Sequence, residues 1–231
     1  MFFRQLFDQE SWTFTYLLAD EETREAVMID PVLGQMPLYR RLLDEYGLTL
    51  KYAVDTHVHA DHVTALGALH DEFGAESVHG VGSGAACVSR FIADGEELAF
   101  GRYHLQAIAT PGHTDDSFSF FLRADGCAMV FTGDTLLIRG TGRTDFQNGD
   151  AGIQYDSLTR KLLTLADDTI VYPAHDYKGM NESRIGEEKA YNPRLQVADK
   201  AAYIALMDSL DLPNPKFMDE AVPANLKCGR A

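Results

Sequence analysis

The stretch Thr56-His57-Val58-His59-Ala60-Asp61-His62 packs three histidines and an aspartate into six consecutive positions. Imidazole nitrogens and carboxylate oxygens suit zinc, iron or manganese, so the stretch reads as part of a metal site. A polar loop of solvated histidines is the plainer alternative. It fits less well, because three of the chain's 8 histidines fall together here. At a strand end, His57 and His59 are two apart and share a face, while Asp61 and His62 lie on the turn that follows. Three further turn-rich stretches each follow an apolar run: Thr110-Pro111-Gly112-His113-Thr114, Phe131-Thr132-Gly133-Asp134-Thr135 and Tyr172-Pro173-Ala174-His175-Asp176. Each is weak alone, since a histidine after a turn is more often just exposed. Loops on a rigid sheet scaffold, however, present ligands to one edge in this way. Together His57, His59, Asp61, His62, His113, Asp134 and His175 offer seven ligands, enough for two metals bridged by Asp134 and a metal-activated water.

Strands and helices must hold those loops. Residues 1–8 alternate like an edge strand, and residues 12–19 and 25–30 read as two strands joined by a polar turn. Residues 36–46 suit an amphipathic helix ending at Gly47, and 48–54 a short apolar strand. The spacing predicts a helix over 63–73 that stops at Gly74, then strands at 103–109, 117–122 and 127–132. A helix over 155–166, a final strand at 169–172 and a final helix at 196–210 complete the reading. No fixed repeat, low-complexity tract or linker interrupts it, so one α/β domain with layered sheets is expected over 1–231, the C-terminal part a short helical extension. Gly80-Val81-Gly82-Ser83-Gly84-Ala85 matches a dinucleotide-loop pattern, but it lies in mid-domain and reads as a connection. His70, His79 and His104 lie outside the turn motifs and read as surface or core residues.

The motif H-x-H-x-D-H, followed by His, Asp and His at strand ends, resembles the metallo-β-lactamase superfamily over nearly the whole chain to about Leu195. The resemblance implies a four-layer αββα sandwich with a metal site at one edge of the paired sheets. It does not choose a reaction, because that superfamily holds hydrolases, nucleases and oxidoreductases. The run Gly133-Asp134-Thr135-Leu136-Leu137-Ile138-Arg139-Gly140-Thr141-Gly142-Arg143-Thr144-Asp145-Phe146-Gln147 is more selective. With Tyr172–Tyr177 and Asn192-Pro193-Arg194-Leu195, it closely resembles the persulfide dioxygenases, or sulfur dioxygenases. Two departures are visible: Thr141 stands where those proteins often have Cys, and Asp55 where a neutral residue is usual.

The resemblance implies a single Fe(II) per chain on His57, His113 and Asp134. It makes His59, Asp61, His62 and His175 neighbours that orient ligands and water rather than a second metal site. The implied reaction takes glutathione persulfide, O2 and water to sulfite and glutathione. Arg139, Arg143, Arg194 and Tyr177 match positions expected to bind the glutathione part, through carboxylate-pairing guanidinium forks in the case of the arginines. A homodimer is common in the family. The alternative is a glyoxalase II-type dinuclear hydrolase of glutathione thioesters. The 56 residues after His175 are few for that enzyme's longer helical region.

Charge narrows the field further. The net charge of −15 repels phosphate backbones and argues against a nucleic-acid partner. The acidity is concentrated: residues 1–138 carry 8 basic and 21 acidic residues, while 139–194 carry 8 and 9. The segment with the three matched arginines is therefore nearly neutral and compatible with a small anion. No apolar run reaches the roughly 18 residues of a membrane span, and the N-terminus is too charged for a secretory signal. Three cysteines with no C-x-x-C pair predict no disulfide and a cytoplasmic setting, with Cys127 a buried strand residue.

Overall fold

The computed structural model describes residues 1–213 and 217–230. One sheet runs, in spatial order, β1 (Phe2–Asp8), β2 (Thr13–Ala19), β3 (Glu25–Ile29), β4 (Thr49–Val54), β5 (Glu76–Gly80) and β6 (Arg90–Ile92). The other holds β7 (Glu97–Phe100), β8 (Tyr103–Ala109), β9 (Phe118–Ala124), β10 (Cys127–Gly133), β11 (Ile170–Pro173) and β12 (Ser183–Arg184), adjacent in that order. The helices among the described residues are α1 (Met36–Glu45), α2 (Leu66–Phe73), α3 (Ala151–Arg160), α4 (Ile185–Tyr191), α5 (Lys200–Asp208) and α6 (Met218–Asn225).

Strand periodicity builds the layers. Phe14, Tyr16 and Leu18 of β2 alternate with Leu17 and Ala19, and Val27 and Ile29 of β3 alternate with Ala26 and Met28. The first set meets Phe118, Phe120 and Leu122 of β9 and Met129 and Phe131 of β10 in a core between the sheets. The second set packs outward on Met36, Tyr39, Leu42 and Leu43 of α1 and Leu66 and Leu69 of α2. On the far side Val130 and Val171 pack on Leu158 of α3, Ile185 of α4 and Tyr203 and Met207 of α5. The result is the expected αββα sandwich. It explains why the central strands are apolar on both faces.

Several boundaries move. The helix expected over 155–166 starts at Ala151, because Asp150 caps it by accepting from the Ile153 amide at 2.7 Å, and it ends at Arg160. Asp199 likewise starts α5 at Lys200 by accepting from Ala202, so the helix expected over 196–210 is shorter. Residues 63–65 are not helical, since Thr64 is held in a bridge to Val32. The short strands β5, β6, β7 and β12 and the helices α4 and α6 add to the sequence reading, so 169–172 and 196–210 are not the last elements. No helix separates β5 from the parallel β6, so the glycine-rich connection has no helix N-terminus on which to seat a phosphate.

Two of the cysteine expectations, the lack of a disulfide and the burial of Cys127, are overturned. Cys87, in the β5–β6 connection, is disulfide-bonded to Cys228, three residues past α6 and 141 residues away in sequence. A bridge between two distant segments leaves no spacing pattern, so counting could not find it. Cys127 is exposed at the start of β10 rather than buried. Cys87→Ser is expected to lower unfolding stability by about 2–4 kcal/mol under oxidising conditions. Reductant should lower the wild type to the same denaturant midpoint and leave the variant unmoved. Equal midpoints for both proteins without reductant would remove the bridge from the stability of the fold.

Candidate metal centre

Four strand ends converge at one edge of the sandwich. The loop after β4 carries His57, His59, Asp61 and His62; His113 follows β8, Asp134 follows β10 and His175 follows β11. The sheets are tied together there, for Thr13 at the head of β2 forms a bridge to His175, and the Phe14 amide donates to Ala174 at 2.7 Å. Two glycines let the backbones come this close. A Cβ at Gly142 would sit 2.3 Å from the Asp134 carbonyl oxygen and 2.7 Å from His113 Nδ1. Gly133 has φ +52° and would place a Cβ 2.7 Å from Thr56 Oγ1.

The seven sequence-picked residues fall into two groups. His57, His113 and Asp134 bring one ligand atom each to within 4.8 Å of one another, and His59, Asp61, His62 and His175 do the same. The two groups are wired differently. Thr56 Oγ1 donates to Asp30 Oδ2 at 3.1 Å, so at 3.0 Å it accepts from His57 Nδ1 and leaves His57 Nε2 with a free lone pair. Burial, followed by the neighbouring His59 and His113 rings, pushes the His57 pKa well below its ordinary value, keeping the imidazole neutral. His113 Nδ1 donates to the Arg143 carbonyl at 2.7 Å, which leaves its Nε2 3.6 Å from Asp134 Oδ2. Two imidazoles held at Nδ1 and one carboxylate thus face a shared volume.

The second group is only partly satisfied within itself, for His59 Nδ1 and His62 Nε2 are buried without a hydrogen-bond partner. His175 lies between Asp134 Oδ1 at 2.6 Å and Asp61 Oδ2 at 2.8 Å. Burial opposes its protonation, but those two carboxylates outweigh burial and raise its pKa well above the ordinary range. His59 is raised in the same way: burial opposes, and Asp30, 3.1 Å from Nε2, prevails. Conversely, burial would raise the Asp61 and Asp134 carboxyls, but His175 holds both below the carboxylate range. Thr13 Oγ1 completes the network with contacts to Asp61, His62 and His175 at 3.0, 3.2 and 3.1 Å. Both ring nitrogens of His175 are thus engaged, Nδ1 by Asp134 and Nε2 by Asp61.

The arginines also divide. Arg139 pairs with Glu187 and Glu188, and Arg143 forks onto Asp145 at 2.7 Å and reaches the Leu212 and Pro213 carbonyls. Arg194 is half-buried and donates to the Thr141 carbonyl and hydroxyl, with no carboxylate partner among the described residues. Burial lowers its pKa. Thr141, one of the two departures, is therefore the residue that seats Arg194. Tyr177 is 60% exposed and lies parallel to the His175 ring. All four line, with both metal-facing histidines and Asp134, a cavity of about 600 Å³, a size that admits a small organic ligand.

Three positioning residues escaped the sequence reading. Asn225, at the end of α6, donates to the His59 and His62 carbonyls at 2.9 and 2.8 Å and accepts from the Thr64 amide at 2.8 Å. It holds the metal loop from as much as 166 residues away, and no local pattern marks it. Thr13 sits in an ordinary strand run. Asp30 did carry a signal, an acid at a strand end like Asp134, and it has φ +51°. The other departure, Asp55, is buried. It accepts from Thr64 Oγ1 at 3.0 Å and lies 3.6 Å from His79, which also faces Asp116, the acceptor of the Val58 amide. Removing the Asn225 side chain orphans three buried backbone groups, so Asn225→Ala is expected to cost about 2–4 kcal/mol in urea unfolding. The isosteric Asn225→Asp should fall on the same side, because the amide nitrogen makes two of the three bonds. An unchanged midpoint in either variant would show that the loop is held by other contacts.

The chain matches the family model described as the metallo-beta-lactamase superfamily over residues 13–87 and 88–175. It is 48% identical over 227 residues to a Homo sapiens protein named persulfide dioxygenase ETHE1, mitochondrial, covering 98% of this chain and 88% of that one. The crystal structure of ETHE1 from Myxococcus xanthus superposes with a TM-score of 0.95 at 53% identity, covering all of both chains. A probable hydroxyacylglutathione hydrolase of Schizosaccharomyces pombe is more distant, at 33% identity over 238 residues and 90% of each chain.

Proposed function

This chain belongs to the metallo-β-lactamase superfamily and, within it, to the persulfide dioxygenases; from that premise we propose that it holds one Fe(II) and oxidises glutathione persulfide. The reaction consumes glutathione persulfide, O2 and water and releases glutathione, sulfite and two protons. The observation that carries the single-metal reading is that His175 and Asp61, half of the second cluster, are committed to hydrogen bonds, while His59 Nδ1 and His62 Nε2 are left without partners. His57 and His113 each have Nδ1 engaged, which leaves two Nε2 lone pairs beside Asp134. The atoms of His175 and Asp61 are bonded to each other, to Asp134 and to Thr13. When bound by His57, His113 and Asp134, Fe(II) supplies the redox chemistry toward O2 that side chains lack, on a two-histidine, one-carboxylate face with open positions.

The side chains do the rest. Arg194 supplies a fork for a carboxylate of the glutathione body, and Tyr177 walls the same cavity. Arg139 and Arg143, already paired, brace the loops on which Thr141, Gly142 and Arg194 sit. His175 fixes Asp134 by a hydrogen bond from Nδ1 and is itself held by Asp61 at Nε2. The deciding experiment measures iron content and O2 uptake with glutathione persulfide on the same sample. About one iron per chain with persulfide-dependent uptake is expected. Two metals per chain with thioester hydrolysis and no O2 uptake would instead favour the dinuclear hydrolase.

A further inference from the structure

Trp12 has three properties that a loop residue rarely combines. It is the chain's one tryptophan, it is 47% exposed, and its backbone has φ +63°. A left-handed backbone costs a bulky L-residue roughly 1–2 kcal/mol, and exposure leaves most of the indole wet. Both neighbours enforce this placement. Ser11 is buried and gives its amide and hydroxyl to Asp8 at 2.9 and 2.7 Å, and Thr13 is buried against Asp61 and His175. With both flanks anchored inward, the residue between them must point out over the cavity, which it lines. Strain held in place by its surroundings beside a reaction site is a mark of use.

The ring does not stand alone. Its centroid is 6.1 Å from Phe7 and 6.2 Å from Tyr177, and Tyr177 lies 6.0 Å from His175 with the two planes 2° apart. A continuous aromatic row thus runs from the protein surface to the metal centre. The persulfide sulfur belongs at that centre and a donor carboxylate at Arg194, so what remains for the wall is the body between them. In a tripeptide donor that body consists of planar amides, which lie well on aromatic faces.

We propose that Trp12 determines specificity for the organic body of the persulfide, so that the site takes a peptide persulfide in preference to a single amino-acid persulfide. The proposal rests on the persulfide reading above, and its test separates the two. Because no other tryptophan is present, the emission of the wild-type protein reports this wall alone. Titration with glutathione, the product carrying the same body, should shift or quench that emission to saturation, with free cysteine giving no saturable change. This requires neither turnover nor a variant. In O2 uptake, Trp12→Ala should raise KM for glutathione persulfide about 5- to 10-fold with kcat within twofold, and leave kcat/KM for cysteine persulfide within twofold. Trp12→Phe should restore most of the KM. Emission unmoved while calorimetry records glutathione binding, equal losses with both persulfides, or loss of iron in both variants would each overturn the proposal. Absence of O2 uptake by the iron-loaded wild type with either persulfide would instead sink the underlying reading, and the emission result would stand apart from it.

Discussion

Asp134→Asn is expected to give a folded protein that retains little iron and shows O2 uptake reduced by at least a hundredfold. The substitution keeps the shape and removes the charge. Asp134 is the only carboxylate in the group with His57 and His113, so its loss leaves only two imidazole nitrogens for a dication. Replacing partners one step further from a metal already costs about 10–100-fold in affinity, so loss of the direct carboxylate should exceed that. It also takes a carboxylate from His175, whose Nδ1 lies 2.6 Å from Asp134 Oδ1. Metal analysis after dialysis checks the first consequence, and circular dichroism checks that the fold survives. The contrast is Asp61→Asn, in the other cluster. There the iron content should stay near one per chain while activity falls within the 10–100-fold range. If Asp61→Asn released a metal and Asp134→Asn did not, the assignment of the two clusters would be reversed.

The second large effect is expected at Arg194. Replacement by Ala should raise KM for glutathione persulfide about 10- to 100-fold, with kcat and iron content little changed. A charge-assisted hydrogen bond in such a site contributes about 1.5–3 kcal/mol, which corresponds to that range. The choice among the three arginines is physical. Arg139 and Arg143 already neutralise acids of this chain, so an incoming carboxylate would have to compete for them. Arg194 is half-buried on two oxygens of Thr141, with no acid beside it among the described residues, and burial lowers its pKa. A buried cation without a partner is stabilised by an anion that enters the cavity. Arg194→Lys should recover only part of the loss, because an ammonium cannot reproduce the planar fork. Steady-state kinetics separates the outcomes: a fall in kcat at unchanged KM would make Arg194 a support for the Thr141 turn and not a substrate contact.

The ligand types, their order and the strand ends that carry them were all legible in the chain. Short-range chemistry writes these features. Period-two alternation marks the strands of a sandwich, turn residues mark where they stop, and histidine and aspartate after the turns mark the edge. An α/β domain with layered sheets followed from the same local patterns, and the four-layer αββα arrangement from the family resemblance that the metal motif carries. Helix starts were less legible where a single capping aspartate, Asp150 or Asp199, decided them.

Only the tertiary structure could bring the seven residues together as two groups and commit His175 and Asp61 to hydrogen bonds with each other and with Asp134. That division depends on which ring nitrogen each histidine has already committed. The partners are Thr56, Asp30, the Arg143 carbonyl and Thr13, which no spacing rule connects to the motif. The same holds for Asn225 on the metal loop, for the Cys87–Cys228 bridge and for Arg194, which alone of the three arginines has no acid partner among the described residues. The sequence determines which groups are present and on which loops. Their free valences are set by contacts between segments as much as 166 residues apart, and those distances exist only once the two sheets have packed.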